Sequence, residues 1–566
     1  MPAVGEAPVA GAAAALRRSA LLDLTRTRFD LLIIGGGAVG AGSALEAAAR
    51  GLRVALVEGE DFGSGTSGRS TKLAHGGVRY LERAVLRADV AEYRLVREAL
   101  HERAAFFRLA PHLCRDLPIL TPAYSTRDLA YYLAGLRLYD LLAAGRGLGR
   151  TAAYGPAEAA RLFPGLRAEG LRGAVLYHDG QFDDARFNVS LAVTAARWGA
   201  TVVNHARARG LLWEQGRIVG AEVEDRLSGA ALPVRAAAVL NAAGPHADLV
   251  RGLAAPGLAP LLRVSRGVHL VLGPGRCGDR TGLLIPRTPD GRVVFVLPWL
   301  RHTLIGTTDT PGEPSPHPPV PAEDIEYLLA QVNAHLQRPI GAEEVLSAWS
   351  GLRPLARSPR RGRTSELSRG HVVVDGPSGL VTVVGGKWTT YRRIAADAVA
   401  HVVRRFGLAA RTGSAACELP LVGAESCRAS ASPSFSASPS FSASSIEGPA
   451  LARRFALPPA TVAHLLGSYG DQAAEVCVQG GTDGLRPLVP THPYLEAEVL
   501  WGARREWAQT VLDVLARRTR LAFLDRAAAG AAVPRVAALL AGELGWSAAE
   551  RQRQQEEAHR RLGADL

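Results

Sequence analysis

Residues 29–58 constrain the fold more than any other part of the chain. They read FDLLIIGGGAVGAGSALEAAARGLRVALVE. The apolar run at 29–34 predicts a buried central strand of a parallel sheet. A helix is predicted from the glycine turn to about Arg50, Gly51 ends it, and RVALVE predicts the next strand. A strand, a tight turn, a helix and a second strand in this order predict an α/β domain with a doubly wound sheet.

The first turn of this unit carries Gly35, Gly37 and Gly40 in the spacing G-x-G-x-x-G, and Glu58 closes the second strand. In this setting the glycines let the backbone approach a pyrophosphate, and the beginning of the helix supplies partial positive charge. A carboxylate about 20 residues further on accepts a ribose hydroxyl. We predict that these four residues bind the ADP half of a dinucleotide. The alternative is a tight turn without a ligand.

Two later strands are also predicted to end in glycine turns. The stretches AAAVLNAAGPHAD and LVTVVGG predict strands that end near Gly244 and Gly386. Because ligands of open α/β sheets bind at the carboxyl edge of the strands, we expect both turns to share that edge with Gly37. Residues 261–310 are rich in short apolar strands and predict an antiparallel sheet in a second domain, while the sequence after residue 449 predicts helices throughout.

Composition excludes several classes of protein. The five cysteines are odd in number and form no CxxC pair, so neither a disulfide scaffold nor a structural zinc site is expected, and a reducing compartment fits best. No long apolar run is free of charges and glycine clusters, so no membrane-spanning helix is predicted. The net charge of +13 suits an anionic substrate, an anionic membrane face or a nucleic acid. The absence of a basic stripe interleaved with aromatic residues puts nucleic acid last.

Lysine is rare in this basic chain. Of the 66 basic residues only Lys72 and Lys387 are lysines, and both lie in glycine-rich segments. Arginine presents a broad planar fork, whereas lysine presents a compact ammonium on a thin stem. We therefore predict that both lysines lie at a ligand site where a guanidinium would not fit. The alternative is survival by chance in a composition biased toward arginine.

Several motifs together resemble one family, the aerobic FAD-dependent glycerol-3-phosphate dehydrogenases. Besides the segment at 29–58, they are STKLAHGGVRYLE, FDDARF, NAAGPHAD, RGVHLVL, IGTTD, SGLRPL, GGKWTTYR and YLEAEVLWGARREWAQTVLDVLARRTRLAFLD. The resemblance implies an FAD-binding Rossmann-like domain of the glutathione-reductase and amino-acid-oxidase type, an antiparallel-sheet substrate domain and a C-terminal helical domain. It also implies oxidation of sn-glycerol 3-phosphate to dihydroxyacetone phosphate, with FAD as cofactor and membrane quinone as electron acceptor.

The resemblance also divides the chain. A tail with a short helix is expected at 1–27, the oxidoreductase region at 28–410, a low-complexity linker with the tandem SASPSF at 424–448, and the helical domain at 449–566. Within the oxidoreductase region the FAD-binding parts are expected at about 28–85, 175–255 and 350–410, and the substrate-domain parts at about 86–174 and 256–349.

Site residues follow from the same resemblance. His269 is implied as the base, and Arg353 as a cation near the flavin. Substrate binding is assigned to Arg79, Tyr80, Arg369 and Lys387. FAD binding is assigned to Gly35, Gly37, Gly40, Glu58, Thr66, Ser67, Ser70, Thr71, Lys72, Gly76, Gly244, Gly385, Gly386, Thr389 and Thr390. No metal is expected. Gly68 and Gly370 depart from the family pattern, in which serine and aspartate are common at these two positions.

The implied partners are glycerol 3-phosphate, quinone and an anionic membrane surface. With no spanning helix predicted, the expectation is a cytoplasmic protein attached peripherally to the inner face of the cell membrane, with arginine-rich helices at GARREW and LARRTRL as candidate lipid contacts. A homodimer is the candidate assembly. The alternatives are a glycerol-3-phosphate oxidase that uses oxygen, another flavin oxidase of the same fold, a flavin-dependent nucleic-acid modifier, and a binding protein with an inert flavin.

Overall fold

The computed structural model describes residues 11–77, 89–357, 370–414, 416–426 and 447–564. The helices are α1 Ala12–Arg26, α2 Ala38–Ala49, α3 Val90–Leu109, α4 Thr126–Leu142, α5 Pro156–Leu162, α6 Asp184–Arg197, α7 Ala247–Ala254, α8 Ala322–Asn333, α9 Tyr391–Phe406, α10 Glu447–Phe455, α11 Pro459–Tyr469, α12 Ala473–Gly480, α13 Glu496–Arg505, α14 Leu521–Leu524, α15 Arg526–Leu544 and α16 Ala548–Gly563, with a π-helical turn at Asp513–Arg518.

The strands within the same residues are β1 Phe29–Ile34, β2 Val54–Val57, β3 Leu73–Ala74, β4 Cys114–Ala123, β5 Ala152–Tyr154, β6 Gly173–Phe182, β7 Thr201–Val203, β8 Ala206–Glu214, β9 Arg217–Asp225, β10 Ala231–Asn241, β11 Leu262–Leu272, β12 Gly282–Ile285, β13 Val294–Trp299, β14 His302–Gly306, β15 Thr310–Pro311, β16 Val345–Ala356, β17 His371–Asp375 and β18 Leu380–Gly385.

The first sheet confirms the doubly wound prediction. Its strands lie in the order β17-β18-β10-β1-β2-β7, with a β8–β9 hairpin extending β10. The pairs from β18 to β7 are all parallel, so these five strands end at one edge, while β17 joins antiparallel. β1 and β2 are almost fully buried, as expected for strands covered on both faces. Helices α2, α6 and α9 pack on one face.

The second sheet belongs to the predicted substrate domain. It follows the order β15-β11-β14-β13-β12-β4-β6-β3, with β16 paired to β11 and β5 to β6. The prediction of an antiparallel sheet holds for every pair except β12 with β4, which is parallel. The expected boundaries are wrong in three places: β3, β6 and the part of β16 beyond residue 350 lie in this sheet, although their residues were assigned to FAD-binding parts.

The C-terminal region is helical, as predicted, and is joined to the rest by buried charges. Asp61, in the loop after β2, accepts hydrogen bonds from Arg517 and Arg518 of the π-helical turn. His205, just before β8, contacts Asp513 of the same turn at 2.9 Å. Arg517 and Arg518 also form ion pairs with Asp513 and Glu506. The expectation that the arginines of LARRTRL face lipid is therefore wrong, because their charges are held inside the protein.

The arginines of GARREW are engaged as well. Arg504 forms a two-pronged ion pair with Glu543, and Arg505 pairs with Glu475. Both pairs tie α13 to its helical neighbours. The proposed lipid contact at this segment therefore has no free guanidinium to support it.

One described helix is long and apolar enough to cross a membrane by composition alone, α15, whereas the sequence predicted none. Its inner face carries Val533, Val536 and Leu540, which are buried in the core that the helical region shares with the second sheet. Glu543 lies near its end and binds Arg504. One face of α15 is therefore packed in the protein core, and 39% of its apolar stretch is buried.

Candidate active site

A cavity of about 500 Å³ lies at the carboxyl edge of the first sheet. The ends of four adjacent parallel strands, β18, β10, β1 and β2, contribute to its wall, and the Pro314–Pro318 segment with Leu352 and Pro354 of β16 faces them. Neighbouring strands are about 4.8 Å apart, so four strand ends make an elongated groove. A ligand that binds here extends across the sheet edge.

Nine of the residues predicted to bind ligand line this cavity. They are Gly35, Gly37, Glu58, Thr66, Ser67, Gly244, Gly385, Gly386 and Lys387. The structure therefore brings together the three strand-end glycine turns and the loop after β2, which the sequence placed far apart. Lys387 is the one predicted substrate ligand that the described residues include. Arg79, Tyr80 and Arg369 lie outside the described residues.

The glycine turn at β1 is shaped for close approach. Gly35 has φ +109°, a conformation that favours glycine, and a Cβ on Gly40 would lie 1.8 Å from the carbonyl oxygen of Gly35. Gly40 does not line the cavity, and its role is to let α2 pack against the turn. The N-terminus of α2 therefore begins directly at the cavity wall, where its partial positive charge favours an anion.

Glu58 lies at the end of β2 as predicted. Its carboxylate accepts hydrogen bonds from the backbone N–H groups of Gly36 at 2.6 Å and Glu60 at 2.9 Å. Burial raises the pKa of this carboxyl, and the two N–H groups act in the opposite direction. The carboxylate is thus held rigidly beside the glycine turn, as recognition of a ribose requires.

The loop after β2 closes one side of the groove. Ser67 Oγ accepts a hydrogen bond from the N–H of Ala38, the first residue of α2, and the Ser67 carbonyl accepts one from the indole of Trp388 at 2.8 Å. Thr66 Oγ1 donates to the carbonyl of Leu352. Two predicted FAD ligands therefore also join the loop to α2, to β16 and to the turn before α9.

Arg69 is a cavity residue that the sequence reasoning missed. Its guanidinium is buried and donates to the carbonyl oxygens of Ser64, Ser350 and Pro316 at 2.8–3.2 Å. These bonds link the loop after β2, β16 and the proline-rich segment. An arginine inside the small-residue stretch TSGRST was the available signal. Trp388, His246 and Arg207 line the cavity too and were likewise not selected.

Lys72 is fully buried and does not line the cavity. Its ammonium donates to Asp184 at 2.7 Å and to the carbonyls of Gly68 and Ser70 at 3.2 and 3.0 Å. An ammonium has three donors, so these bonds leave none for a ligand. Ser70 also binds Asp184, through both its N–H and its hydroxyl. The structure thus places Lys72 and Ser70 in an ion cluster that holds the loop, apart from the cavity surface.

The remaining predicted cofactor ligands lie close to the groove without lining it. Thr389 Oγ1 accepts from the N–H of His75 at 3.3 Å, and Thr390 Oγ1 donates to the carbonyl of Lys387. The N–H of Gly76 donates to the hydroxyl of Tyr139. These contacts fix the turn before α9 and the strand end at β3.

His269 lies on β11 and is buried beside two cations. Its Nε2 is 3.0 Å from Thr71 Oγ1, while its Nδ1 has no hydrogen-bond partner among the described residues. Burial lowers the pKa of His269 well below its usual value, and the charges of Lys72 and Arg353 lower it further. The imidazole is therefore neutral at physiological pH and can accept a proton.

Two glycines make room for this arrangement. A Cβ on Gly306, opposite His269 on β14, would lie 2.3 Å from the imidazole Cδ2. A Cβ on Gly267, two residues before His269, would lie 2.3 Å from Arg353 Nη2. Because residues two apart share one face of a strand, the guanidinium and the imidazole lie side by side on the same face of the sheet.

Arg353 is fixed from β16 by its neighbours. Its Nη2 donates to Thr307 Oγ1 at 3.0 Å and to the Thr308 carbonyl at 3.1 Å, and its Nη1 lies 3.7 Å from Asp309. Neither Arg353 nor His269 lines the cavity itself, whereas Leu352 and Pro354, the chain neighbours of Arg353 in β16, do. A neutral base and a fixed cation next to a dinucleotide-shaped groove suit removal of a proton with stabilisation of the resulting anion.

Comparison with known protein families is consistent with both parts of this architecture. Residues 30–392 match the model described as FAD dependent oxidoreductase. Residues 414–551 match the C-terminal domain of alpha-glycerophosphate oxidase. The first match spans both sheets, and the second spans most of the helical region.

Individual relatives cover nearly the whole chain. It is 42% identical over 561 residues to the mitochondrial glycerol-3-phosphate dehydrogenase of Homo sapiens, covering 96% of this chain and 75% of that protein. The mitochondrial glycerol-3-phosphate dehydrogenase of Arabidopsis thaliana is also 42% identical, over 549 residues, with coverage of 96% and 86%. The solved glycerol-3-phosphate dehydrogenase from Bacillus halodurans complexed with FAD superposes with a TM-score of 0.75 at 27% identity, covering 97% of this chain and 98% of that one.

Proposed function

Because the chain belongs to the glycerol-3-phosphate dehydrogenase family of FAD-dependent oxidoreductases, we propose that it oxidises sn-glycerol 3-phosphate to dihydroxyacetone phosphate. The observation that carries this proposal is a groove with the features of an FAD site, lined in part by Leu352 and Pro354 of β16, on the strand pair β11–β16 that also carries Arg353 and buried His269. The groove fits FAD because the glycine turn, the beginning of α2 and the Glu58 carboxylate match the needs of a pyrophosphate and a ribose.

His269 takes the proton in this proposal. A neutral imidazole accepts the proton of the C2 hydroxyl, and its low pKa keeps it neutral before the substrate binds. The hydrogen bond with Thr71 fixes Nε2, and Nδ1, which is buried without a partner among the described residues, is the nitrogen proposed to take the proton. When bound, FAD supplies the acceptor for the hydride that leaves C2, so the carbon–oxygen bond becomes a carbonyl.

Arg353 stabilises the negative charge that develops on the substrate oxygen. Its guanidinium is held by Thr307, Thr308 and Asp309, so it need not reorganise during the reaction. Lys387, which lines the cavity at the beginning of the turn that leads into α9, is the proposed ligand of the phosphate. Arg79, Tyr80 and Arg369 remain proposed phosphate ligands on the resemblance alone.

Anaerobic reduction of the bound flavin tests the reaction. Glycerol 3-phosphate should bleach the absorbance of oxidised flavin near 450 nm, whereas lactate, glycine and glycerol should not. Bleaching by glycine or lactate instead would indicate a different flavin oxidase. A colourless protein after gentle isolation, or no reduction by any of the four compounds, would refute the proposal.

Substitution of Lys387 by arginine tests the phosphate site. The compact ammonium and the broad guanidinium differ in shape, so we expect a higher KM for glycerol 3-phosphate with little change in the FAD content. Arg357→Lys is the control: Arg357 lies just beyond the end of β16, binds the Leu262 carbonyl and does not line the cavity, so the same two cations are exchanged away from the proposed ligand. Normal kcat and KM in the Lys387→Arg enzyme would contradict a ligand role for Lys387.

Quinone is the proposed electron acceptor, and the glycerol-3-phosphate oxidase reaction with oxygen is the competing one. One experiment distinguishes the two electron acceptors. A soluble quinone analogue should be reduced at the rate of substrate consumption, with little hydrogen peroxide in air-saturated buffer. Stoichiometric peroxide would instead assign the oxidase reaction.

Peripheral attachment to the inner face of the cell membrane, from the cytoplasmic side, is part of the same proposal. With the arginine-rich segments buried or paired, the better candidates for lipid contact are the exposed apolar side chains of two helices, Val90 and Tyr93 of α3 and Tyr131 and Leu141 of α4. Leu141 is 74% exposed and Tyr131 is 44% exposed, and aromatic residues with leucine suit the membrane interface.

Sedimentation with vesicles of anionic phospholipid tests this surface. Tyr131→Ser combined with Leu141→Ser should reduce the bound fraction, while Trp213→Ser, which removes an equally exposed aromatic residue from β8, should leave it unchanged. Equal losses in both variants would contradict the assignment. Light scattering of the same preparations reads the oligomeric state, for which a homodimer is the candidate.

A further inference from the structure

Three aromatic rings in contact lead from the C-terminal region to the candidate base, the first contact edge-on and the second stacked. Phe523 of α14 lies edge-on against Trp349 of β16, with ring centroids 5.0 Å apart and planes at 77°. Trp349 in turn stacks on His269, with centroids 5.3 Å apart and planes at 13°. All three side chains are buried. The helical region therefore reaches the base through one intervening ring.

The Trp349 ring is confined on its other sides as well. Trp299 of β13 packs against it at 5.7 Å, and the ammonium of Lys72 lies 5.2 Å from its centroid. In the sheet, Trp349 is the register partner of His269. Only Phe523 among these contacts comes from the C-terminal region, and it supplies the edge that keeps the indole plane parallel to the imidazole.

Backbone contacts hold α14 at this place. The Ser347 hydroxyl donates to the Ala522 carbonyl at 3.2 Å, and the Arg526 guanidinium donates to the Ala348 carbonyl. Both bonds reach β16 directly before Trp349, at Ser347 and Ala348, and in the helical region they lie on either side of Phe523. The position of Phe523 is thus fixed relative to the strand that carries Trp349.

We propose that Trp349 and Phe523 are positioning residues for His269, so that the C-terminal helical region takes part in catalysis although none of its described residues lines the cavity. This inference rests on the proposed role of His269 as the base. Within the part of the chain that the structure describes, the imidazole has a single side-chain hydrogen bond, to Thr71, which leaves rotation of the ring to be restrained by packing. Misplacement of a reacting group by about 1 Å costs on the order of 100-fold in rate, so a flat, fixed stack matters for the base.

The ring stack also keeps water away from the base. The charged groups that act on His269 are Lys72, on the loop before β3, and Arg353, on β16. A loosened stack would admit water, and water would screen these two cations. The base would then bind a proton at higher pH, and the acidic limb of the rate profile would move toward the usual histidine value of about 6.5.

Phe523→Ala is the main test, and Phe455→Ala is its matched control. Phe455 is a partly buried phenylalanine of the same helical region that packs in a separate core. We expect Phe523→Ala to lower kcat by about 10-fold, to change KM by less than about 2-fold, and to shift the acidic limb of the kcat/KM profile upward. Phe455→Ala should change none of these. The FAD content, read from absorbance, should be unchanged in both.

A measurement without turnover and a conservative variant complete the design. Exchange of the imidazole C2 hydrogen with deuterium, followed by mass spectrometry, reports the pKa of His269 in the holoenzyme, and it should rise in Phe523→Ala. Trp349→Phe, which keeps a ring under His269, should retain more kcat than Trp349→Ala. If Phe523→Ala fails to fold, the comparison of the two Trp349 variants decides the matter.

The failure of this inference can be told apart from the failure of the proposed function. If glycerol 3-phosphate does not reduce the flavin of the unaltered protein, the proposed function is wrong. If it does, and His269→Gln removes the acidic limb while Phe523→Ala matches Phe455→Ala in kcat and in the His269 pKa, then the base stands and the positioning role is overturned.

Discussion

The ion cluster around Asp184 yields the sharpest prediction for stability. Asp184 is fully buried and accepts hydrogen bonds from Lys72 at 2.7 Å and from Arg520 at 3.3 Å. Exchange to asparagine removes the one carboxylate that both cations contact, with almost no change in volume. Lys72 would then lack its contacting carboxylate and Arg520 would keep only Asp183, at 3.9 Å, and removal of one partner is the costly way to break a buried ion pair.

The expected loss is about 3–5 kcal/mol of unfolding free energy. With an unfolding entropy of about 2.1 cal/mol/K per residue, and with 566 residues that unfold together, this corresponds to a fall in Tm of about 3–4 °C. Glu214→Gln is the control, since it breaks an exposed pair with Arg235. An exposed pair contributes less than about 1 kcal/mol.

The pH dependence gives the prediction a second readout. Burial lowers the pKa of Lys72 to about 8, and Asp184 is the largest charge that opposes this shift. Without Asp184 the pKa of Lys72 falls further. Above that lower pKa Lys72 is neutral in the folded variant, and the cost of burying an unpaired ammonium is then avoided. The folded variant then binds fewer protons than its unfolded state, so its stability rises with pH. The loss of unfolding free energy relative to the unaltered protein should therefore be larger at about pH 6 than at about pH 9. Calorimetry at both pH values measures it. Equal Tm values for Asp184→Asn and Glu214→Gln would refute the reasoning.

Three further outcomes are expected. Gly40→Ala should abolish FAD retention after gel filtration, because the added Cβ would lie 1.8 Å from the Gly35 carbonyl oxygen and force α2 away from the turn. Glu58→Gln should weaken FAD binding by roughly 10-fold in a fluorescence titration, since a charged acceptor contributes about 1.5–3 kcal/mol and the amide retains part of it; unchanged affinity would contradict the ribose contact. The kcat/KM profile should stay flat as the pH falls through 6.5, because burial lowers the pKa of His269 and the neutral form is the active one; a loss centred at 6.5 that His269→Gln leaves in place would exclude this base.

The first sheet and its cavity could be predicted from sequence because their signals are local. A glycine turn, a helix and an acid at fixed spacing identify the strand ends, and parallel strands bring these ends to one edge. The assignment of strands to sheets was less accessible, since β6 and β16 look like buried strands in sequence and their partners lie far along the chain.

The buried charges could not be predicted for a related reason. Lys72 and Asp184 are 112 residues apart, and Arg518 and Asp61 are 457 apart. A cation in a helix has the same local pattern whether it faces water or a distant carboxylate. The arginines after Asp513 were therefore interpreted as a surface, and only the packed structure reveals their partners. The prediction that Lys72 contacts the ligand failed for the same reason. A glycine-rich segment looks the same in sequence whether its lysine contacts a cofactor or a buried carboxylate such as Asp184.

The ion pairs that join the π-helical turn to the loop after β2 restrict recombination between the two regions of the gene. Different family models match the two regions, which invites the idea that they are exchangeable modules. Yet Asp61 and Asp184 obtain guanidinium partners only from beyond residue 516 among the described contacts. A recombination event that joined the first region to an unrelated C-terminal region would leave buried Asp61 without its arginine partners and Asp184 with Lys72 as its remaining contacting cation, so descendants that fold should inherit both regions together.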